Sequence, residues 1–266
     1  MHRALQPRGG EKCGLVELTE GLEQMLGLSW KPVGVRIHRQ APGSPPDGFE
    51  TVSAVRYCQA VMFARRGRQV RLEPGGISCP AAASAFGFRT LPAGLASGQG
   101  LVGFGIAGDP AAGKTMFEGM ARLEPGTVTA IDLAPLAAFD ALPDVVVVED
   151  RVERLMWFLL AEVNRSGGAR VPADTAVLQA TCVDVTLVPY AQGRLNFSFG
   201  CYGCREATDI EPGEAVVGFP GALLPRLVAD IERLANKAIP RSRAKRPYAA
   251  LVGPEEVGSP FGGDAC

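Results

Sequence analysis

The sequence predicts an α/β or α+β fold in which helices pack on a mixed sheet within a single compact domain. Two observations support this prediction: short β-branched segments alternate with amphipathic segments along the 266 residues, and no repeat period divides the chain. With 47% hydrophobic residues, the chain can bury one large core. We expect residues 1–14 to be disordered, residues 15–236 to form the domain, and residues 237–266 to form a basic, flexible tail.

The first half of the domain alternates helices and strands. Apolar residues at helical spacing predict a helix over residues 15–26, which a glycine ends. Residues 33–38 and 69–73 have the pattern of strands, and residues 55–64 that of a helix. Another helix is predicted to begin after Cys79, because proline is favoured in the first helical turn.

The second half contains the most regular helical pattern, over residues 152–163. Residues 177–188 are ambiguous, because their β-branched content suits a strand and their length suits a helix ended by Pro189; we favour the helix. A last helix is predicted to open at Pro220. The strands predicted in this half are residues 127–133, 144–149, 196–199 and 214–218.

Charge and hydropathy exclude several classes of partner. The net charge is -1 and the pI is near 6.2, which gives no reason to expect nucleic acid or an anionic membrane as a partner. No apolar run approaches the ~18 to 20 residues of a membrane span, and the N-terminus lacks the apolar segment of a secretory signal. We therefore expect a cytoplasmic protein whose partner is a small molecule or a redox protein.

Histidine is too scarce for several catalytic classes. The chain has two histidines, His2 and His38, and the second follows an early strand, where a surface or hydrogen-bonded role is typical. Ser-His-Asp or Cys-His catalysis and histidine-based zinc sites are therefore set aside.

Cysteines carry the strongest chemical signal. The seven cysteines should be reduced in the cytoplasm, which makes them candidates for ligands, redox groups or small buried side chains. The segment at residues 196–205 stands out, since an alternating strand runs into two thiols, Gly203 and Arg205. We expect five cysteines to converge: Cys58, Cys79, Cys182, Cys201 and Cys204.

The first functional hypothesis is a thiolate-bound metal site. Four separate thiolates are the usual number for a [4Fe-4S] cluster, and Arg56 and Arg205 would offset its negative charge. Zinc on the same thiolates is the alternative metal, although the sequence contains only one of the paired C-x-x-C motifs that zinc prefers. The four ligands predicted are Cys58, Cys79, Cys182 and Cys201, with Cys204 as a further candidate.

A second hypothesis is thiol redox chemistry at Cys201 and Cys204, whose spacing permits a disulfide. We expect an extended segment between these residues, without the helix that normally lowers the pKa of the first thiol.

A third hypothesis is a nucleotide site for ATP and magnesium. Residues 108–115 match the phosphate-loop pattern, with an apolar stretch at residues 101–107 that would be its strand and Asp150 as the magnesium residue. Asp109 as a helix cap followed by Pro110 explains the same residues more simply, and we favour it. The nucleotide residues would be Gly108, Gly113, Lys114 and Thr115.

These motifs, in this order over residues 15–236, resemble the bacterial and archaeal family known as domain of unknown function 169. The resemblance implies no particular reaction. Its recurring features fall on Cys58, Cys79, Cys182, Cys201, Gly203 and Arg205. Members of that family more often carry Asn or Asp at the position of Cys204, which implies an auxiliary role for this thiol.

Overall fold

A single mixed sheet organises the molecule, for which a computed structural model describes residues 11–41 and 43–235. The strands are β1 Val33–His38, β2 Phe49–Thr51, β3 Gln69–Leu72, β4 Ala130–Pro135, β5 Val145–Arg151, β6 Asn196–Ser198 and β7 Glu214–Pro220. They form one seven-stranded sheet in the order β2-β3-β4-β1-β5-β7-β6. Every neighbouring pair is antiparallel except β2 with β3, so the predicted mixed sheet is confirmed.

Helices cover both faces of this sheet. They are α1 Glu11–Leu26, α2 Tyr57–Arg65, α3 Pro80–Ala85, α4 Ala93–Ala96, α5 Gln99–Gly103, α6 Pro110–Glu118, α7 Val152–Arg165, α8 Val188–Gln192, α9 Tyr202–Ala207 and α10 Leu224–Ala235. A π-helix, Ala180–Leu187, precedes α8, and two short 3-10 turns occupy Leu136–Ala138 and Gly221–Leu223. No helix within the described ranges is long and apolar enough to cross a membrane.

The alternation of strand side chains divides the core into two layers. Val145 and Val147 of β5 face a layer formed with α2, α3 and the π-helix, whereas Val146 and Val148 face α1, α7 and α10. Stacking of Phe158 on Phe219, with ring centroids 5.6 Å apart, ties α7 to β7 in the second layer.

Gly218 allows the π-helix to contact the sheet. A Cβ atom at this position would lie 1.8 Å from the carbonyl oxygen of Val185, which is backbone and cannot swing away. The contact fixes the π-helix, and hence Cys182, against β7.

A buried ion pair stabilises the other end of the sheet. Arg71 donates from Nε and Nη2 to the two carboxylate oxygens of Asp132, at 2.6 and 2.7 Å, and both residues are almost fully buried. The Nε2 atom of His38 lies 2.8 Å from Asp132 Oδ2, so the hydrogen-bonded role expected of this histidine is confirmed.

Most predicted elements occur within a few residues of their expected positions. Helix α1 begins at Glu11, so residues 11–14 of the stretch expected to be disordered are helical. Residues 1–10 and 237–266, for which disorder and a flexible tail were predicted, lie outside the described residues. The helix favoured for residues 177–188 is confirmed, but it does not end at Pro189, which lies in the first turn of α8.

Candidate thiol site

Cys201 caps the N-terminus of α9, and this corrects the extended segment expected between Cys201 and Cys204. The backbone N–H of Cys204 donates to Cys201 Sγ at 3.3 Å, and the N–H of Cys201 donates to Cys204 Sγ at 2.8 Å. The two cysteines therefore form a capping box in which sulfur replaces the usual oxygen.

The pKa values of the two thiols in this capping box are shifted in opposite directions. Hydrogen bonds to its sulfur, first from the Cys204 side chain and then from backbone N–H groups such as that of Ala180, lower the pKa of Cys201 to about 6. The pKa of Cys204 is raised, first by its hydrogen bond to Cys201 and then by burial. Cys201 is partly exposed and Cys204 is buried, so the acidic thiol faces the surface.

Three further thiols lie around Cys201. Cys79 caps α3, Cys58 is the second residue of α2, and Cys182 is the third residue of the π-helix. Helix α2 packs against α9 and the π-helix, and α3 also packs against the π-helix. All these cysteines belong to, or pack against, the same apolar cluster.

Electrostatic coupling shows that these thiols lie near one another. Burial, followed by the charges of Cys79, Cys201 and Cys58, raises the pKa of Cys182 well above its ordinary value. Burial, followed by Cys201, Glu149 and Cys79, raises the pKa of Cys58 to about 12. These effects link cysteines that are up to 143 positions apart along the chain, from Cys58 to Cys201.

No three histidine, cysteine, aspartate or glutamate side chains in the described part of the chain lie close enough together to hold a single metal ion. An iron-sulfur cluster is larger than one ion, since bridging sulfides separate the irons. The thiolates that hold it are consequently farther apart than those around a zinc ion.

Arg56 joins the helix that carries Cys58 to the helix that carries Cys201. Its Nη1 donates to the carbonyl oxygen of Gly203 at 2.9 Å, and a Cβ atom on Gly203 would lie only 2.9 Å from that nitrogen. Glycine at 203 therefore permits this contact. The charge of Arg56 acts to lower the pKa of Cys58.

The guanidinium of Arg205 binds backbone oxygens on both sides of α9. It donates to the carbonyl oxygens of Phe199, Glu211 and Glu214, which lie before and after α9. Arg205 thus holds the ends of the loop around α9, and its donors point at backbone oxygens rather than at the thiols.

Sequence reasoning missed two buried carboxyl groups beside the thiols. Burial raises the pKa of Glu149 to about 7 and that of Asp184 also to about 7. Asp184 accepts a hydrogen bond from Thr175 Oγ1 at 2.9 Å, whereas neither carboxylate oxygen of Glu149 has a hydrogen-bond partner. In the sequence, Glu149 follows Val145 and Val147 at intervals of two residues. In a strand, this spacing places its side chain on the same buried face of β5 as those two valines.

The phosphate-loop residues do not form a phosphate loop. Residues 101–107, expected as a strand, begin in helix α5, and residues 110–115 belong to α6. The N–H of Gly113 donates to the carbonyl oxygen of Asp109, so it is not free to bind a phosphate. Lys114, which is 56% exposed, pairs with Glu118 on the outer face. The interpretation of Asp109 as a helix cap followed by a proline is confirmed.

The remaining residues of the nucleotide hypothesis lie apart from any such loop. Gly108 is exposed in the turn before α6, and the hydroxyl of Thr115 donates to the carbonyl oxygen of Ala111. Asp150 is fully buried and accepts hydrogen bonds from the N–H of Ser29 and from Arg154. These partners leave no arrangement that resembles a magnesium and phosphate site.

Comparison with known proteins gives one match. The model of the family DUF169, described as an uncharacterised ArCR family, matches residues 21–230. No curated protein and no solved structure matches the chain.

Proposed function

Since the chain belongs to the uncharacterised DUF169 family, we propose its function from the geometry: it holds a [4Fe-4S] cluster with a redox or accessory role. The observation that carries this proposal is the mutual placement of four thiols from four separate segments around one apolar region. The four ligands are Cys58, Cys79, Cys182 and Cys201.

The surroundings of these thiols suit an anionic centre. Each of the four lies at or near the start of a helix, where backbone N–H groups lack helical partners and the helix dipole favours negative charge. Backbone hydrogen bonds reach the sulfur of Cys201 from Ala180 and Gly203. Such bonds to cluster sulfurs are one of the means by which proteins set the reduction potential.

Cys204 supports the ligands rather than serving as one of them in this proposal. Its sulfur accepts the N–H of Cys201 at 2.8 Å, so it fixes the backbone that presents Cys201. A cytoplasmic location is also part of the proposal, because thiols remain reduced there.

Anaerobic purification with iron and sulfide analysis tests the cluster. We expect about four irons and four sulfides per chain and a broad absorbance near ~400 nm. Cys58→Ser and Cys201→Ser should lose both the iron and the absorbance, whereas Cys204→Ser, the matched control, should retain them. Zinc in place of iron would identify the alternative metal. Protein that stays free of iron after anaerobic incubation with ferrous iron and sulfide would refute the cluster.

A second candidate function, thiol-disulfide exchange at Cys201 and Cys204, is favoured by one specific observation. The sequence analysis did not predict a helix at this position, but Cys201 caps helix α9, and the pKa of its thiol is lowered to about 6. A thiolate at a helix N-terminus is the usual attacking group in such chemistry.

The exchange would proceed in two steps, which together transfer two electrons to the partner disulfide. The Cys201 thiolate attacks one sulfur of a partner disulfide and releases the other as a thiol after protonation. Cys204 then loses its proton and attacks the sulfur of Cys201. The second partner thiol leaves, the partner has gained two electrons, and a Cys201–Cys204 disulfide has formed.

Acid quenching and alkylation of protein treated with a small disulfide oxidant tests this candidate. A gain of two blocked thiols that disappears in Cys204→Ser would support exchange. Two thiols that are alkylated under all oxidising conditions would remove it. Because Cys204→Ser should keep its iron, the two candidates give different results with the same variant.

A further inference from the structure

A pocket opens directly beside Cys201 on the surface of the molecule. Its volume is about 590 Å³, within the range of small-molecule sites. Cys201, Ile210 and Pro212 line it, and so do the side chains of Phe199 and Tyr202. The pocket thus gives a ligand direct access to the residue that carries the acidic thiol.

Three large apolar side chains are exposed on the walls of this pocket. Phe199 is 57% exposed, Tyr202 is 69% exposed and Val177 is 42% exposed. Seven large hydrophobic side chains in the described part of the chain are at least 42% exposed, and three of them line this pocket. Exposed apolar surface that is gathered in this way marks a binding site rather than ordinary surface.

Few polar groups are available to a ligand in this pocket. The donors of Arg205, the charged residue of the lining, are directed at the carbonyl oxygens of Phe199, Glu211 and Glu214. Within the described residues, the hydroxyl of Tyr202 has no hydrogen-bond partner. The lining therefore suits an uncharged ring system with one polar edge better than it suits a phosphate or a carboxylate.

The backbone beside the pocket is strained. Val177 has φ +58°, a conformation that β-branched residues rarely adopt, and Gln179 has φ +52° just before the π-helix. Such strain persists only where the surrounding structure enforces it, and it is concentrated at functional sites. Here it places Val177 on the pocket wall and starts the helix that carries Cys182.

We propose that this pocket binds a planar, uncharged aromatic ring system of the flavin type, held by stacking on Phe199 and Tyr202. The inference deepens the proposed function, because Cys201 lines the pocket and a ring bound there would lie beside the proposed cluster. It rests on the proposed function for the role of the bound ring and not for the binding itself. Stacking on exposed aromatic rings is the interaction that these side chains offer, and Tyr202 adds a hydroxyl for the polar edge of the ring.

Fluorescence quenching of riboflavin, titrated with the full chain, tests the proposal. We expect saturable quenching, with affinity reduced about tenfold in Phe199→Ala and in Tyr202→Ala, since each substitution removes one of the two rings on which the ligand stacks. Tyr202→Phe keeps the ring and should bind within about threefold of wild type. Phe104→Ala is the matched control, because Phe104 is 72% exposed but does not line this pocket.

The metal-free variant Cys58→Ser separates this proposal from the cluster. It should bind riboflavin as wild type does, because Cys58 does not line the pocket. Wild-type protein that takes up no iron in the anaerobic incubation described above but still binds riboflavin would refute the cluster and support the pocket. The pocket is overturned if riboflavin is not quenched, or if Phe104→Ala weakens binding as much as Tyr202→Ala does. Circular dichroism of each variant confirms that it is folded.

Discussion

Two opposing effects act on the buried carboxyl group of Glu149: burial disfavours its charged form, and the nearby charge of Arg65 favours it. Its side chain is almost fully buried on β5, and burial raises its pKa from 4.5 to about 7 although the charge of Arg65 lowers it. Arg65 Nε lies 3.2 Å from Glu149 Oε2. The folded state favours the protonated form of Glu149, and this preference contributes to the free energy of unfolding. The contribution is fully present below pH 4.5 and is lost as the pH rises through about 7.

Glu149→Gln removes the charge and retains the shape of the side chain. A pKa of about 7 against 4.5 corresponds to about 3 kcal/mol of free energy of unfolding. The variant should therefore be more stable than wild type by up to about 3 kcal/mol at pH 8, and close to wild type at pH 5. Urea unfolding followed by circular dichroism at both pH values measures this. Glu118→Gln is the matched control, since Glu118 is 63% exposed and should change stability by less than about 0.5 kcal/mol.

Lower stability of Glu149→Gln than of wild type at pH 8 would refute this reasoning, because it would show that attraction to Arg65 exceeds the cost of burying the carboxylate. Arg65 keeps Asp209 and Glu214 as charged partners in the variant, so the substitution does not leave it unpaired.

Three further predictions concern the framework of the fold. Gly218→Ala should lower the free energy of unfolding by several kcal/mol, because its Cβ would lie 1.8 Å from a carbonyl oxygen of the π-helix; Gly213→Ala, with no atom within 4 Å, should be nearly neutral in the same urea titration. Arg71→Ala should cost about 3 kcal/mol by leaving buried Asp132 with His38 as its remaining partner, whereas Arg68→Ala, at a 46% exposed ion pair, should cost less than about 1 kcal/mol. ATP with magnesium should not raise the melting temperature of wild type or of Lys114→Ala; a rise that the substitution abolishes would restore the nucleotide hypothesis.

The fold was largely predictable from sequence because its strands and long helices have strong apolar patterns. The run that became β5 is continuously apolar from Val145 to Val148, as a strand covered on both faces requires, and the run that became α7 places every third or fourth residue on a buried face. The exception at residues 101–107 has a physical reason: only Leu101 and Ala107 of that stretch are buried, so its apolar residues do not form a strand face.

The site was predictable in its residues but less so in its geometry. Glycine, proline and arginine beside the cysteines marked the right segments, because those residues permit close approach and begin helices. Helix α9 was missed because it has six residues, without apolar periodicity, and is capped by the sulfur of Cys201 rather than by an oxygen. Glu149 could be placed on a face of its strand, but only the packing of α2 on the sheet brings it near Cys58.

The thiols that lie near one another in the fold leave the ribosome at different times, because they are far apart in the sequence. Cys58 and Cys79 are synthesised before the chain reaches β4, whereas Cys201 comes just ahead of β7, the strand that lies between β5 and β6. The nascent protein therefore carries its early thiols without their later neighbours until almost the whole domain has been made. The thiols can meet only after translation has passed Cys204, and a product truncated before that point would carry Cys58 and Cys79 without their later neighbours.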